Sequence, residues 1–487
     1  MKPRIILIVS VGVLVAFGLL MIYSASSITS LTSSATGNDP AYYLKRQLRF
    51  LAMGLVAATA LACVDYRIYT RGRLIKVIWV GTILLLMLIF SPTAGQDAYG
   101  ASRWVSIAGF QFQPSEFAKI SVISVAAAIV QRYVQDPGMD TEDFWKLMAV
   151  ALGIPLVLIL MQPDKGTTII LAATLLVMGY LAGVPRKVLG GALVLGFLGI
   201  VFLSLKDDYS RARVMTMLNP WTDPYGDGYQ LIQGFYAFGS GGLLGVGIGS
   251  SRQKYSYLPM AYNDFIYAVV GEELGLVGTV GMLCGFALFM WAGFRIARTA
   301  PDICGKLIAA GCTSLIVIQL LVNVCGVIGI MPLTGKPIPF VSYGGSTLLS
   351  CLMLVGLIVS VSVHSELPRT AADDRRESFR DVAEDRGISF VGEPTPRSAR
   401  GWDEQGPGVW AGRDADADRG FRVYEGGSGT DSGRAFSTRM DSRGSRDSAH
   451  RGRVRRDASG RDRIDLGPSA SDRLRSARTT DRRMDDR

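Results

Sequence analysis

Ionisable and amide side chains stand in or beside long apolar runs of this chain. They are Glu116 and Lys119, Asp164, Asp264, Glu272 and Glu273, then Gln319 and Asn323. Charged groups at bilayer depth are rare, and those that occur face a protein interior or a water-filled cavity. One reading is a structural network in which Glu116, Lys119 and Asp164 neutralise one another, since ion pairs inside membranes hold bundles together. For any single member that reading is as good as a functional one. For the whole cluster, gathered toward one side and next to a large loop, a substrate cavity is the better reading.

The chemistry open to such a cavity is narrow. The chain has two histidines, His364 at the inner end of the last apolar run and His450 in the polar C-terminal region. Neither reaches the outer side, so a Ser-His-Asp or Cys-His device is excluded there, and no H-E-x-x-H zinc motif exists. A general base on the outer face must then be a carboxylate, with desolvation raising its pKa toward a useful value. Asp264 is the best-placed candidate, because it opens an apolar run where the aqueous loop meets the bilayer. The dipole of a helix starting there opposes the desolvation shift.

The elements that must position these groups follow from hydropathy. About 20 apolar residues span a hydrocarbon core of about 30 Å. Such runs fall near 5–25, 46–63, 74–91, 114–133, 145–161, 166–184, 187–205, 264–294, 306–330 and 340–363. The expected fold is all-α, a polytopic membrane bundle of about ten helices over residues 1–364. The basic, apolar N-terminus resembles a signal peptide but is long enough to span, and it reads as a retained first helix. Arg67, Arg71, Arg73, Arg132, Arg186, Lys187, Arg295, Arg298 and Lys306 fall in short loops on one side, which predicts cytoplasmic termini. Lys45, Arg103, Arg211, Arg213, Arg252 and Lys254 fall outside, most of them in long segments where the rule weakens. The outer segments 92–113, 206–263 and 331–339 are candidates for function, and 206–263 is too long for a mere connector. Its GSGGLLGVGIGS stretch lacks the GK[ST] ending of a phosphate loop.

From Ser365 onward the chain holds 26 Arg, no Lys and 24 Asp or Glu. This region, 365–487, is expected to be a disordered cytoplasmic tail rich in Arg and Asp, unable to bury enough apolar surface to offset chain entropy. Its signs nearly cancel, so the net charge of +10 does not point to nucleic acid. The six cysteines lack metal or disulfide spacing and read as small buried hydrophobes.

Five segments resemble the SEDS (shape, elongation, division, sporulation) family of bacterial wall growth. They are GASRWVSIAGFQFQPSEFAK at 100–119, QPDKGT at 162–167, GYQLIQGFYAFGSGGLLGVGIGSSRQKYSYLP at 228–259, NDFIYAVVGEELGLVG at 263–278 and GIMPLTGKPIPFVSYGGSTLL at 329–349. They span the apolar half in family order. The third segment and the basic tail look like the FtsW-type, division branch more than the RodA-type, elongation branch.

The resemblance implies a peptidoglycan glycosyltransferase of the cytoplasmic membrane that polymerises lipid II at the outer face, at the division septum. It also implies a class B penicillin-binding protein as partner, with other divisome proteins reached through the tail. The family's essential aspartate falls on Asp264. Its conserved tryptophan, in the first outer half-helix, falls on Trp104. Arg103, Glu116, Lys119, Asp164, Lys254 and the turn at Ser342 and Tyr343 fall on motif positions and are expected to bind substrate. Where many members read LPEAHTDFIF this chain reads LPMAYNDFIY, so Met260 and Tyr262 replace a Glu and a His. Departing pyrophosphate needs a cation, to be supplied by Arg103, Lys119 or a divalent ion (Mg or Mn). No organic cofactor is expected. A lipid II flippase and a RodA-type polymerase are the alternatives.

Overall fold

The structure is a computed structural model. It describes residues 2–91, 95–98, 101–107, 110–136, 138–255, 257–365, 453–456 and 462–465. The chain divides into two units, Met1–Glu393 and Pro394–Arg487.

In the first unit the apolar runs become helices α1 (Pro3–Thr32), α2 (Tyr42–Cys63), α3 (Tyr66–Thr70), α4 (Leu74–Met87), α5 (Pro114–Gln135), α6 (Thr141–Met161), α7 (Lys165–Ala182) and α8 (Arg186–Lys206). There follow α9 (Asp208–Leu218), α10 (Tyr229–Gly241), α11 (Ile266–Thr299), α12 (Ile303–Val327) and α13 (Gly345–Val363). Among the described residues nine helices are long and apolar enough to cross a membrane, and Leu74–Phe90 is a shorter apolar helix. These ten coincide with the ten expected spans, and the protein is a multi-pass membrane protein.

Side chains fix where several helices start. Pro3 and Pro114 sit at the first turns of α1 and α5, where a missing N–H costs nothing. Asp164 and Asp302 cap α7 and α12, accepting from Thr167 N (3.1 Å) and Gly305 N (2.7 Å). These caps satisfy backbone donors that a helix start leaves open. Inside α11 the backbone breaks at Gly275, with φ 64° and ψ −160°, a conformation open to glycine and closed to other residues. The segment before that break carries Glu272 and Glu273.

The chain alternates direction through the bundle, so Asp164, Asp264 and residues 331–344 share one end. Residues 64–73, 132–140 and 300–303 share the other. Helices α12 and α13 form most of the buried centre, with α2 against α13 and α1 against α11. Helix α8 has no buried side chain among its described residues, as suits a span facing lipid.

One expectation changes. The described residues of 95–112 are not a half-helix but a three-stranded antiparallel sheet: β1 (Gly95–Ala98), β2 (Ala101–Ile107) and β3 (Phe110–Phe112). Trp104 therefore lies on a strand, opposite Gln96. The reason is local. Trp104, Val105 and Ile107 favour a pleated surface, and Val105–Ile107 pairs antiparallel with Phe110–Phe112. The large loop 206–263 carries α9 and α10, in keeping with a segment too long for a mere connector.

The predicted disordered tail falls mostly outside the described residues. Within the second unit the described residues are two short strands, β4 (Arg453–Arg456) and β5 (Asp462–Asp465), paired antiparallel.

Candidate active site

The segment between α12 and α13 folds back along α12 instead of leaving the bundle. Gln319 Nε2 donates to Pro337 O (2.9 Å), and Asn323 Nδ2 donates to Lys336 O (2.7 Å) and Asp264 O (3.0 Å). Gln319 lies eight residues before the end of α12, about 12 Å along its axis. Irregular backbone at that depth is tolerated only where protein or a cavity surrounds it, and the two amides supply its partners.

This loop delivers Lys336 to Asp164. Their ion pair is 2.8 Å long and almost wholly buried. Asp164 also accepts from Gln113 Nε2 (3.0 Å), Ser115 Oγ (2.8 Å) and Thr167 Oγ1 (2.8 Å). Burial pushes the Asp164 carboxyl up, but Lys336 and the Thr167 donors overcome it and hold the group below its ordinary range. Deeper in the bundle, Lys119 pairs with Glu116 at 2.7 Å, both fully buried. Lys119 also donates to Gln319 Oε1 (2.8 Å), and Ser350 donates to Glu116 Oε2 (2.9 Å).

Asp264 differs from these acids. It stands in the loop two residues before α11, partly buried, and makes no ion pair among the described residues. Its Oδ1 is buried and has no hydrogen-bond partner. Two more buried oxygens without partners, Asn323 Oδ1 and Thr334 Oγ1, belong to the same loop contacts. Orphaned polar atoms of this kind mark a place for a polar ligand or water. Burial pushes the Asp264 carboxyl up, and the charges of Arg213 and Lys336 oppose it only in part, leaving it at about 6.

Arg213 comes from α9 and is fixed by donating to Leu333 O and Tyr209 Oη. Between it and Asp264 lies Gly335, at φ 67°. A methyl placed there would sit 3.4 Å from Asp264 Oδ2 and 3.8 Å from Arg213 Nη1. Beside this group lies a cavity of about 270 Å³, lined by Tyr209, Arg213, Gln230, Pro259, Met331 and Leu333 among others. The arrangement is a guanidinium at the wall of a cleft, with a raised-pKa carboxylate next to that guanidinium. It can take a proton on one side and hold an anion on the other.

The other predicted residues are distributed as follows. Glu116, Lys119 and Asp164 join the buried network behind Asp264, with Lys119 enclosed between Glu116 and Gln319. Lys254 is tied to Glu273 (3.1 Å), Gly249 O (2.6 Å) and Ser24 Oγ (3.3 Å). That places it at the packing of the loop on α1 and α11, and Arg213 and Lys336 are the cations that act on Asp264. Ser342 accepts from Ile338 N (2.9 Å) and closes the turn before α13. Tyr343 packs on Tyr43 and Tyr262 at 5.0 and 5.8 Å, and Tyr262 Oη donates to Tyr43 Oη (3.0 Å). The Tyr262 that replaces a family histidine is thus part of an aromatic cluster. Trp104 is partly buried on β2, and the side chain of Arg103 lies outside the described residues. Sequence reasoning missed Arg213 as a site residue, having taken it only as a loop charge, and it missed Lys336 inside a quoted segment.

A divalent cation finds limited support. No three His, Cys, Asp or Glu side chains converge among the described residues, and the neighbours of Asp264 are cations. Asp264 would be the one protein carboxylate for an ion otherwise held by substrate phosphates, through the oxygen that does not serve as base.

Comparison with known proteins agrees with this architecture. Stage V sporulation protein E of Bacillus subtilis is 38% identical over 369 residues, covering 75% of this chain and 98% of that protein. A probable peptidoglycan glycosyltransferase FtsW of Trichlorobacter lovleyi is 38% identical over 370 residues, covering 76% and 96%. Among solved structures, a chain of a peptidoglycan synthase complex that coordinates polymerization and crosslinking aligns with a TM-score of 0.59. It is 28% identical and covers 73% of this chain and 96% of that one. The rod shape determining protein RodA of Thermus thermophilus aligns at 0.54 with 25% identity, covering 74% and 97%. The family model described as cell cycle protein matches residues 4–367, and the chain belongs to this FtsW, RodA and SpoVE family, the SEDS family.

Proposed function

We propose that this protein is a peptidoglycan glycosyltransferase that polymerises lipid II into glycan strands at the outer face of the cytoplasmic membrane. One observation carries the reading: a buried carboxylate oxygen of Asp264 without a partner, beside a guanidinium and a cleft. Relatives named peptidoglycan glycosyltransferase FtsW recur among the matches, which favours the division branch and a septal role. Both termini are cytoplasmic in this reading, in keeping with the basic loops at the end opposite Asp264.

The acceptor sugar hydroxyl attacks the anomeric carbon of the donor lipid II. Asp264 Oδ1 accepts the hydroxyl proton as the new C–O bond forms. The bond from the anomeric carbon to pyrophosphate breaks, and the prenyl pyrophosphate departs with the electron pair. Arg213, held by Leu333 and Tyr209, meets that growing negative charge. Lys336 keeps Asp164 ionised and holds the loop that frames Asp264. An Mg or Mn ion brought by the pyrophosphate, with Asp264 as its protein donor, would add Lewis-acid neutralisation of the same charge.

A class B penicillin-binding protein is the proposed partner; in support, the solved chain that the fold resembles belongs to a peptidoglycan synthase complex that coordinates polymerization and crosslinking. The tail is the proposed contact for other divisome proteins. The test is polymerisation of lipid II by the purified chain, alone and with a co-purified penicillin-binding protein. Glycan chains are expected. Transfer of labelled lipid II across a sealed vesicle with no polymer formed would favour a flippase and defeat the proposal.

A further inference from the structure

A second cavity is at the end of the bundle opposite Asp264. It measures about 800 Å³ and lies between α4, α5 and α6 beside the α3–α4 turn. Its walls are apolar along the helices, with Trp79, Val80, Val125, Ile129, Leu147 and Val150 among them. Its mouth carries five cations, Arg67, Arg71, Arg73, Lys76 and Arg132, against two carboxylates, Asp136 and Asp302. Arg67 is committed to Asp302 at 3.0 Å. Arg71, Arg73, Lys76 and Arg132 make no ion pair among the described residues and are exposed.

Depth decides what such a groove can hold. On α6 its wall is Leu147, Val150 and Ala151, and Ala151 lies about 15 Å along the axis from the helix start at Thr141, at 1.5 Å per residue. Along α5 it runs from Val125 to Gln135, again about 15 Å. That is half of a hydrocarbon core of about 30 Å, the thickness of one leaflet. A free anion needs the cations but not the long apolar wall. A neutral lipid needs the wall but not the cations. Trp79, whose indole N–H donates to Ala151 O (2.8 Å), holds the groove open by bridging α4 to α6 within its wall.

We propose that this groove is a binding site for an anionic glycerophospholipid of the leaflet opposite the catalytic cleft, the cytoplasmic leaflet in the orientation given above. Its headgroup phosphodiester sits among Arg71, Arg73, Lys76 and Arg132, and an acyl chain lies along the apolar wall. Basic pockets between helices on the cytoplasmic side take such headgroups. Occupancy would brace the short α4 against α5 and α6, the helices whose outer ends carry Glu116 and lead into Asp164.

The test uses the purified full-length protein, delipidated in mild detergent and offered equal amounts of phosphatidylglycerol and phosphatidylcholine. Retained lipid is counted by native mass spectrometry. Wild type should retain phosphatidylglycerol at least about tenfold over phosphatidylcholine, since two basic residues engaged at about fivefold each near a lipid surface already exceed that. Arg71→Gln, Arg73→Gln and Lys76→Gln together should bring the ratio near parity, whereas Arg71→Lys with Arg73→Lys should keep it. Ala128→Phe, which fills the wall, should lower retention of both lipids. An unchanged melting temperature separates these effects from misfolding. Excess inorganic phosphate should leave the lipid in place. Equal retention of both lipids by wild type would overturn the proposal, as would a preference that survives the triple substitution. So would displacement by phosphate alone, which would mark a free-anion site. Retention of neither lipid, with 71–76 protected by a co-purified partner, would assign the groove to a protein and equally overturn it.

Discussion

The substitution Arg213→Gln removes a positive charge from beside Asp264 while leaving a side chain able to donate to Leu333 O. A methyl at Gly335 would lie 3.4 Å from Asp264 Oδ2 and 3.8 Å from Arg213 Nη1. The two charged atoms are therefore at most about 7 Å apart, a separation worth about 2 kcal/mol at an effective dielectric near 20. Arg213 is only half-buried, and solvent screening leaves about 1.4 kcal/mol, which is about one pKa unit. The sign follows from the charge: a nearby cation favours the ionised carboxylate, so its loss raises the Asp264 pKa. The assay is the initial rate of lipid II polymerisation by purified protein between pH 5 and 8.5. Because the base must be deprotonated, the wild-type rate should climb with pH and reach half its plateau at about 6. In Arg213→Gln the same limb should move about one unit upward, and the plateau should fall about 100-fold through the lost pyrophosphate contact. An unmoved limb, or one displaced to lower pH, would refute the coupling of Arg213 to Asp264.

Gly335→Ala puts a methyl into the Asp264–Arg213 gap at a left-handed backbone position, which costs about 1–2 kcal/mol; a fall in melting temperature and in polymerase rate should appear together. Lys336→Met leaves Asp164 buried and uncompensated and should destabilise the protein by about 3 kcal/mol. Adding Asp164→Asn should recover part of that loss, and a thermal double-mutant cycle with strictly additive effects would contradict the pairing.

The ten spans were legible because a bilayer demands one apolar run per crossing, and boundaries such as Tyr42–Cys63 and Ile303–Val327 fall within a few residues of the reading. Asp264 could be singled out because no histidine can serve the outer face, and because the aspartate keeps its place in a motif that changes around it at Met260 and Tyr262. The sheet over 95–112 was not, since short runs flanked by glycine carry no period that separates strand from helix. Arg213 was illegible for a different reason. Its meaning depends on α9 folding back so that its guanidinium meets Leu333, a contact across 120 residues that no local pattern encodes. Lys336 likewise gains its role only when the loop before α13 is laid against the cap of α7. Lys119 and Lys254 show the reverse: their charge and motif position suggested substrate contact, and burial has committed both to carboxylates.

The most direct measurement is lipid II polymerisation by purified Asp264→Asn protein, alongside wild type with the same melting temperature. Asparagine keeps the size of the side chain and cannot accept the proton, so the rate should fall about 100-fold or more. Glycan strands made by Asp264→Asn at the wild-type rate would contradict the account.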